Sequence, residues 1–343
     1  MKIQAKPIRC IVYCLLAVSA LAMYGTQNIA RAETKEVRIA QQFGLQFLAV
    51  NVMVGEKLIE KHAKSLGLGD VKVRLIQLSG GATVNDALLS GNIDIGGAGT
   101  TPLIKIWEKT RGGANIRALA PTSDAPMYLV TAAPKIKSIR DYSDKDKIAV
   151  PSVKVSINAT VLQMAAEKEF GKGNYEKLDP FTVGLPHPDA VAMLRSGGSE
   201  VKSHMGIMPY TMEELQIPGA RVLLTSYDVL GGPHSVSVLY NTEKWKNDNP
   251  KTFKAVAAAF EEAMQIINKD KRAAAEIFIR ETKSKLPLES VYEILKRDDI
   301  IYTTTPERVM KFADFLYRTG SIKVMPASWK DLFWENVYDK PGS

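Results

Sequence analysis

Two successive runs of alternating strand and helix patterns constrain this chain more than anything else in it. In the first, Val37-Arg-Ile-Ala reads as a strand and is followed by the turn Gln41-Gln42-Phe43-Gly44. The periodicity then predicts one long helix over Phe47–Ser65, with Val50, Val54, Leu58 and Ile59 on its apolar face and Gly67 ending it. Val71 to Ile76 alternates as a strand, Gly80-Gly81 opens a helix to Leu89, and Ile93-Asp94-Ile95 reads as a strand running into a glycine cluster. A helix through Ile104 and Trp107 and a strand over Ile116–Ala120 complete the run. Such alternation specifies an α/β lobe with a largely parallel sheet.

The second run repeats the recipe. Strands are expected at Lys147–Pro151, Phe181–Gly184, Val201–Ile207 and Arg221–Ser226, with helices at Ser156–Phe170 and Pro188–Arg195. The two runs also echo each other in residues. Leu89-Ser-Gly91, Asp94 and Pro102 match Leu194-Arg-Ser-Gly197, Glu200 and Pro209, and the segments around Thr122–Pro126 and Thr225–Pro233 both precede apolar strands. We therefore expect two lobes of similar build: 33–124 as the first part of lobe I, 125–232 as lobe II, and 233–343 returning to lobe I with C-terminal helices. Two hinge crossovers, near 123–126 and 228–234, would join them.

Residues 1–32 have the layout of a signal peptide: Lys2, Lys6 and Arg9, an apolar run from Cys10 to Gly25, and Ala30-Arg-Ala32 as a small-x-small cleavage site. Both cysteines lie in this segment, so the remainder offers no disulfide, thiolate metal site or cysteine nucleophile. The formal charge of +8 falls by half without the four basic residues of the leader. No basic tract with interleaved aromatics argues for nucleic acid.

If both lobes are open sheets, a ligand belongs at the carboxyl ends of their strands. There the sequence places Gln41, Gln42, Phe43, Gly80, Gly81, Gly99, Thr100 and Thr101 in lobe I, and Ser152, Lys154, Ser156 and His204 in lobe II. Helix starts present free backbone N–H groups and a positive dipole end, hydroxyls add donors, and glycine permits close approach. The same residues are also ordinary capping and turn residues. Lys154 could pair with an anionic solute or be a solvated loop lysine, and His204 could touch ligand or serve the structure. His62 reads as a solvated helix face and His187 as part of a Pro-His-Pro turn. The histidines lack metal-ligand spacing, and no P-loop, dinucleotide fingerprint or nucleophile elbow appears. No metal, cofactor or catalytic residue is expected.

On the Val37 strand, the segment Leu89-Ser-Gly-Asn-Ile-Asp-Ile-Gly-Gly-Ala-Gly-Thr-Thr-Pro102, Lys147-Ile-Ala-Val-Pro151, the Leu194–Tyr210 unit and the Phe253–Asn268 helix, the chain resembles the periplasmic solute-binding proteins of ABC importers of the nitrate/sulfonate/taurine class. The resemblance implies the two-lobed type II periplasmic-binding fold and closure over a small, anionic, sulfonate-, nitrate- or taurine-like solute. It further implies a monomer that delivers solute to a membrane permease and its ATPase, and ligand contacts from the strand-end turns named above. Ser152-Val-Lys154-Val-Ser156 departs from the Gly-Ser pair common in relatives. Two other readings use the same fold: a thiamine-pyrimidine-type binding protein or enzyme, whose cysteine-rich motif is missing here, and a solute sensor.

Overall fold

A computed structural model describes residues 33–343; the expected signal peptide lies outside the described residues. The ten strands are β1 Glu36–Gln41, β2 Lys72–Gln77, β3 Ile95–Gly99, β4 Arg117–Asp124, β5 Tyr128–Thr131, β6 Lys147–Val150, β7 Thr182–Gly184, β8 Val201–Gly206, β9 Arg221–Thr225 and β10 Ser235–Asn241. They form two five-stranded sheets, ordered β2-β1-β3-β10-β4 and β7-β6-β8-β5-β9. In each sheet one strand runs against its neighbours, β10 in the first and β5 in the second. Those two strands are the first that the chain enters after each crossover, so the reversal and the crossover are one feature.

Helices α1 Leu48–Gly55, α2 Leu58–Ser65, α3 Gly81–Leu89 and α4 Thr100–Lys109 belong to the first lobe, and α5 Ile157–Phe170, α6 His187–Ser196, α7 Tyr210–Glu214 and α8 Ser226–Leu230 to the second. The chain then returns through α9 Glu243–Asp248, α10 Pro250–Lys269, α11 Lys271–Thr282, α12 Leu288–Leu295 and α13 Val309–Arg318. In α10, Phe253, Val256, Phe260, Ala263 and Ile267 recur at helical spacing and are buried; this face packs on α1 and α2.

Two expectations are corrected. The helix over Phe47–Ser65 is two helices, because Lys57 adopts a left-handed conformation (φ 52°) between them. The glycine cluster does not follow a strand but forms it: β3 is Ile-Gly-Gly-Ala-Gly. Its glycines are needed for packing. A Cβ on Gly97 would sit 2.9 Å from the Ala40 carbonyl oxygen and 3.0 Å from the Phe47 ring, closer than ordinary carbon contacts of about 3.5 Å. Asp94 stands just before the strand and staples it to β1. Its carboxylate accepts from the Arg38 backbone N–H at 2.8 Å and from Nε and Nη2 of Arg38 at 3.0 and 2.7 Å.

The crossovers are tied side by side. Met127 N–H donates to Ser226 Oγ at 2.9 Å, Ser226 N–H donates to the Met127 carbonyl at 2.8 Å, and His234 Nε2 lies 2.8 Å from Ser226 Oγ. This leaves two lobes on a paired, hydrogen-bonded hinge.

Candidate functional site

The carboxyl ends of the two sheets face each other, and the lobes are in contact there. Gly80 lies against the second lobe: a Cβ on it would be 2.6 Å from the Pro151 carbonyl oxygen, beside the Ser152 hydroxyl. A Cβ on Gly99 would lie 2.7 Å from Ile157 Cγ2. Thr101 Oγ1 donates to the Val155 carbonyl at 3.2 Å and accepts from Thr160 Oγ1 at 3.3 Å. Lys105 Nζ donates to the Lys154 carbonyl, and Leu45 N–H to the Met208 carbonyl at 3.0 Å. Burial, with Lys109 nearby, lowers the Lys105 ammonium to about 8. The bare backbone before the α4 N-terminus thus lets the opposite lobe approach within van der Waals contact.

Between the lobes lies a cleft in two parts. The inner part is bordered by Gln42, Gln46, Gly99, Asn158, His187 and Ser237, with Phe47, Met127, Ile157, Ile207 and Val236 as apolar wall. Among the described residues no charged side chain lines it. With the lobes this close its volume is about 10 Å³, room for about one water. The N-terminal ends of α4, α5 and α6 converge on it through Gly99, Ile157 with Asn158, and His187. Their aligned dipoles make it favourable to negative charge or to oxygen acceptors. The outer part is a groove of about 530 Å³ that shares Gln42 with the inner one, within the range of about 300–1,000 Å³ usual for small-molecule sites. Gln41, Phe43, Asn51 and Gln77 form one side, and Pro188, Pro209, Tyr210 and Glu213 the other.

Several polar atoms of the cleft are buried without a hydrogen-bond partner: Gln42 Nε2, Gln46 Oε1, Gln41 Oε1 and both amide atoms of Asn51. Gln42 and Gln46 are 7% and 6% exposed. An unpaired buried amide group costs on the order of 1–3 kcal/mol, a cost that a polar molecule in the cleft would relieve.

The expected contact residues divide into three groups. Gln42 lines both parts of the cleft, while Gln41 and Phe43 line the groove. Gly80, Gly99, Thr101 and Ser152 form the contact between lobes, and Gly81 packs on Pro102. The remainder serve the structure around it. Thr100 Oγ1 donates to the Ser235 carbonyl at 2.5 Å. Ser156 caps α5, accepting from Ala159 N–H. The side chain of Lys154 is 62% exposed and lies 3.8 Å from Asp179, so only its backbone carbonyl joins the lobes. His204 is wholly buried behind the cavity, between His187 and Glu214.

Sequence reasoning missed Gln46, Asn158 and His187. The signal for Asn158 was its place two residues after the Ser156 cap, and for His187 its place at a helix start. Among the described residues no group of His, Cys, Asp and Glu is arranged to hold a metal ion, and no helix is long and apolar enough to cross a membrane.

Residues 48–171 match the family model of the NlpA lipoproteins, which is less than half of the chain and contains neither cysteine. No curated protein matches the chain. Many solved structures are similar over most of its length, among them three binding proteins. The alkanesulfonate-binding protein SsuA of Xanthomonas axonopodis pv. citri, bound to MOPS, is 17% identical over 88% of this chain and 97% of its own, with a TM-score of 0.66. The periplasmic aliphatic sulphonate-binding protein SsuA of Escherichia coli is 20% identical over 88% and 93%, with a TM-score of 0.64. The periplasmic nitrate-binding protein NrtA of Synechocystis PCC 6803 is 17% identical over 87% and 84%, with a TM-score of 0.67. At these identities the likeness establishes the fold, which is the two-lobed fold of the periplasmic binding proteins.

Proposed function

We propose that this chain is the extracytoplasmic solute-binding component of an ABC importer. It is exported by the N-terminal leader, captures a compact oxyanion-bearing solute such as a sulfonate, nitrate or taurine by hinge closure, and hands it as a monomer to a permease with its ATPase. The observation that carries the reading is the cleft. Three helix N-termini and unpaired buried amides converge where two hinged lobes meet, so a solute can complete both half-sites at once. Such a solute shifts the open–closed equilibrium by the interactions it makes only in the closed form. The names of the similar structures support the choice of oxyanions. The uncharged inner lining fits an oxyanion held by dipoles and amides, with no formal counter-charge.

A thermal-shift panel on unfolded and refolded protein tests this, with sulfonates, nitrate, taurine, aromatic carboxylates, pyrimidines and amino acids. A solute at about 1,000 times its Kd adds about 4 kcal/mol, which raises Tm by several degrees at roughly 2–4 °C per kcal/mol. A shift confined to oxyanions supports the reading. A shift confined to pyrimidines replaces it with the thiamine-pyrimidine alternative, and turnover of any bound solute makes the chain an enzyme.

A further inference from the structure

Running back from the inner cavity is a chain of three buried polar side chains, His187, His204 and Glu214, that solute capture as described does not use. Glu214 Oε1 is 2.5 Å from His204 Nδ1, and His204 Nε2 is 2.8 Å from His187 Nδ1. His187, at the first turn of α6, lines the cavity; its Nδ1 is turned to His204, so Nε2 is the ring nitrogen that remains. The rings are held in place. His187 stacks on Tyr210 with centroids 5.6 Å apart and planes at 18°. A Cβ on Gly206 would come within 2.9 Å of His204 Nδ1, so glycine there leaves space for the imidazole.

Each of the two hydrogen bonds contains one proton, and the protons can be ordered in two directions. If Glu214 is ionised, both N–H groups point back toward it and His187 Nε2 becomes a bare acceptor. If Glu214 carries the proton, it donates to His204, His204 Nε2–H donates to His187, and His187 keeps Nε2–H as a free donor.

Burial favours the second order. The side chains of Glu214 and His204 are both 0% exposed, and His204 is the sole ion-pair neighbour of Glu214 among the described residues. The sequence neighbour of Glu214, Glu213, lies 3.7 Å from Arg195. Burial pushes the Glu214 carboxyl up to about 9 and the His204 imidazole down to about 3, and it lowers His187 well below the usual range, with His204 adding to the effect. Glu214 Oε2 has no partner, and an unpaired carbonyl is far less costly to bury than half of a carboxylate.

We propose that Glu214, His204 and His187 form a proton-ordered relay that fixes His187 as a neutral hydrogen-bond donor to an oxygen of the bound solute. The inference rests on the cleft being a solute site, and it names the chemistry of the inner end: a carboxylate, sulfonate, nitrate or carbonyl oxygen facing His187 Nε2–H and the free Gln42 Nε2. His187 is then a specificity-determining contact, and His204 and Glu214 are positioning residues.

The test is nitrogen NMR of the whole protein labelled at its four histidines, with taurine, ethanesulfonate and nitrate as probes. The expected result is that His187 and His204 are both neutral at pH 7 with the proton on Nε2, and that the probe that binds moves the His187 Nε2 signal. Glu214→Gln, whose amide still donates, keeps the tautomers. Glu214→Met removes the donor, mixes the tautomers and weakens the probe at least tenfold, as does His187→Phe. Unchanged His62 and His234 signals establish that each variant is folded. A proton on His187 Nδ1, or an imidazolium at either ring, overturns the relay whatever binds. A probe that binds while leaving His187 Nε2 unmoved, and with unchanged affinity for Glu214→Met, overturns the donor role. If no probe binds, the solute reading fails for these classes and the donor role falls with it, even where the tautomers are as expected.

Discussion

Replacing Gly80 by alanine separates closure of the lobes from their folding. The three atoms nearest to a Cβ at Gly80 all belong to Pro151 and Ser152 of the opposite lobe. The Pro151 oxygen, at 2.6 Å, is backbone and cannot rotate aside, whereas an ordinary C···O approach is about 3.3 Å or more. Gly80 has φ −164° and ψ 169°, an extended conformation that alanine adopts freely. The strain therefore exists only when the lobes meet, and it requires them to part by roughly 0.7 Å. Overpacking of this kind costs about 1–3 kcal/mol, which shifts the open–closed ratio roughly 5- to 150-fold toward open. Folding of each lobe is not penalised, since glycine-to-alanine replacement at a compatible site lowers the entropy of the unfolded chain and stabilises the fold by up to about 1 kcal/mol.

The assay is small-angle scattering on solute-free protein together with Tm and affinity for the solute found by the panel. Gly80→Ala is expected to increase the radius of gyration, weaken solute binding within that range, and leave Tm equal or slightly higher. Gly99→Ala, against Ile157, should behave in the same way. Gly97→Ala is the control: its clash is with Ala40 and Phe47 inside one lobe, so it lowers Tm without opening the molecule. Scattering and affinity unchanged in Gly80→Ala would refute the role given to the glycines.

Three further outcomes follow. Glu214→Gln is neutral in both folded and unfolded chains, whereas the wild-type carboxyl is protonated when folded, up to about pH 9, and ionised when unfolded above its ordinary value of 4.5. The wild type thus loses stability relative to the variant as pH rises from 4.5 to 9, by at most about 1.4 kcal/mol per pH unit; urea melts at pH 5 and 8 measure this, and a constant difference contradicts it. Gln42→Met removes an unpaired buried amide, so Tm should hold or rise while solute affinity drops at least tenfold by calorimetry. Asp94→Ala breaks three hydrogen bonds to Arg38 and should cost about 2–3 kcal/mol, seen as a lower urea midpoint with solute affinity retained in the folded protein.

Much of the architecture could be read from periodicity, because strands such as Val71–Ile76 and helices such as Gly81–Leu89 carry their burial pattern locally. The break at Lys57 could not, since a lysine in a left-handed turn leaves no compositional mark. At the strand ends, sequence alone could not tell a hydroxyl that caps from one that reaches across. Ser156 was consumed by its own helix, while Thr101, a similar residue in a similar turn, bonds to the opposite lobe. The relay was hidden for a different reason. His187, His204 and Glu214 meet only when β8, the start of α6 and the end of α7 pack together, and each taken singly resembles a turn, strand-end or helix residue.

The central claim is that two lobes close over a solute, and a distance between them tests it most directly. With both native cysteines within residues 1–32, cysteines at the exposed positions Lys64 and Lys177 can carry a spin-label pair, one on each lobe. Refolded protein should give a distribution that includes an open population, and the solute that raises Tm should collapse it to the single closed separation. A solute that raises Tm and leaves the distribution unchanged would contradict closure as the mechanism.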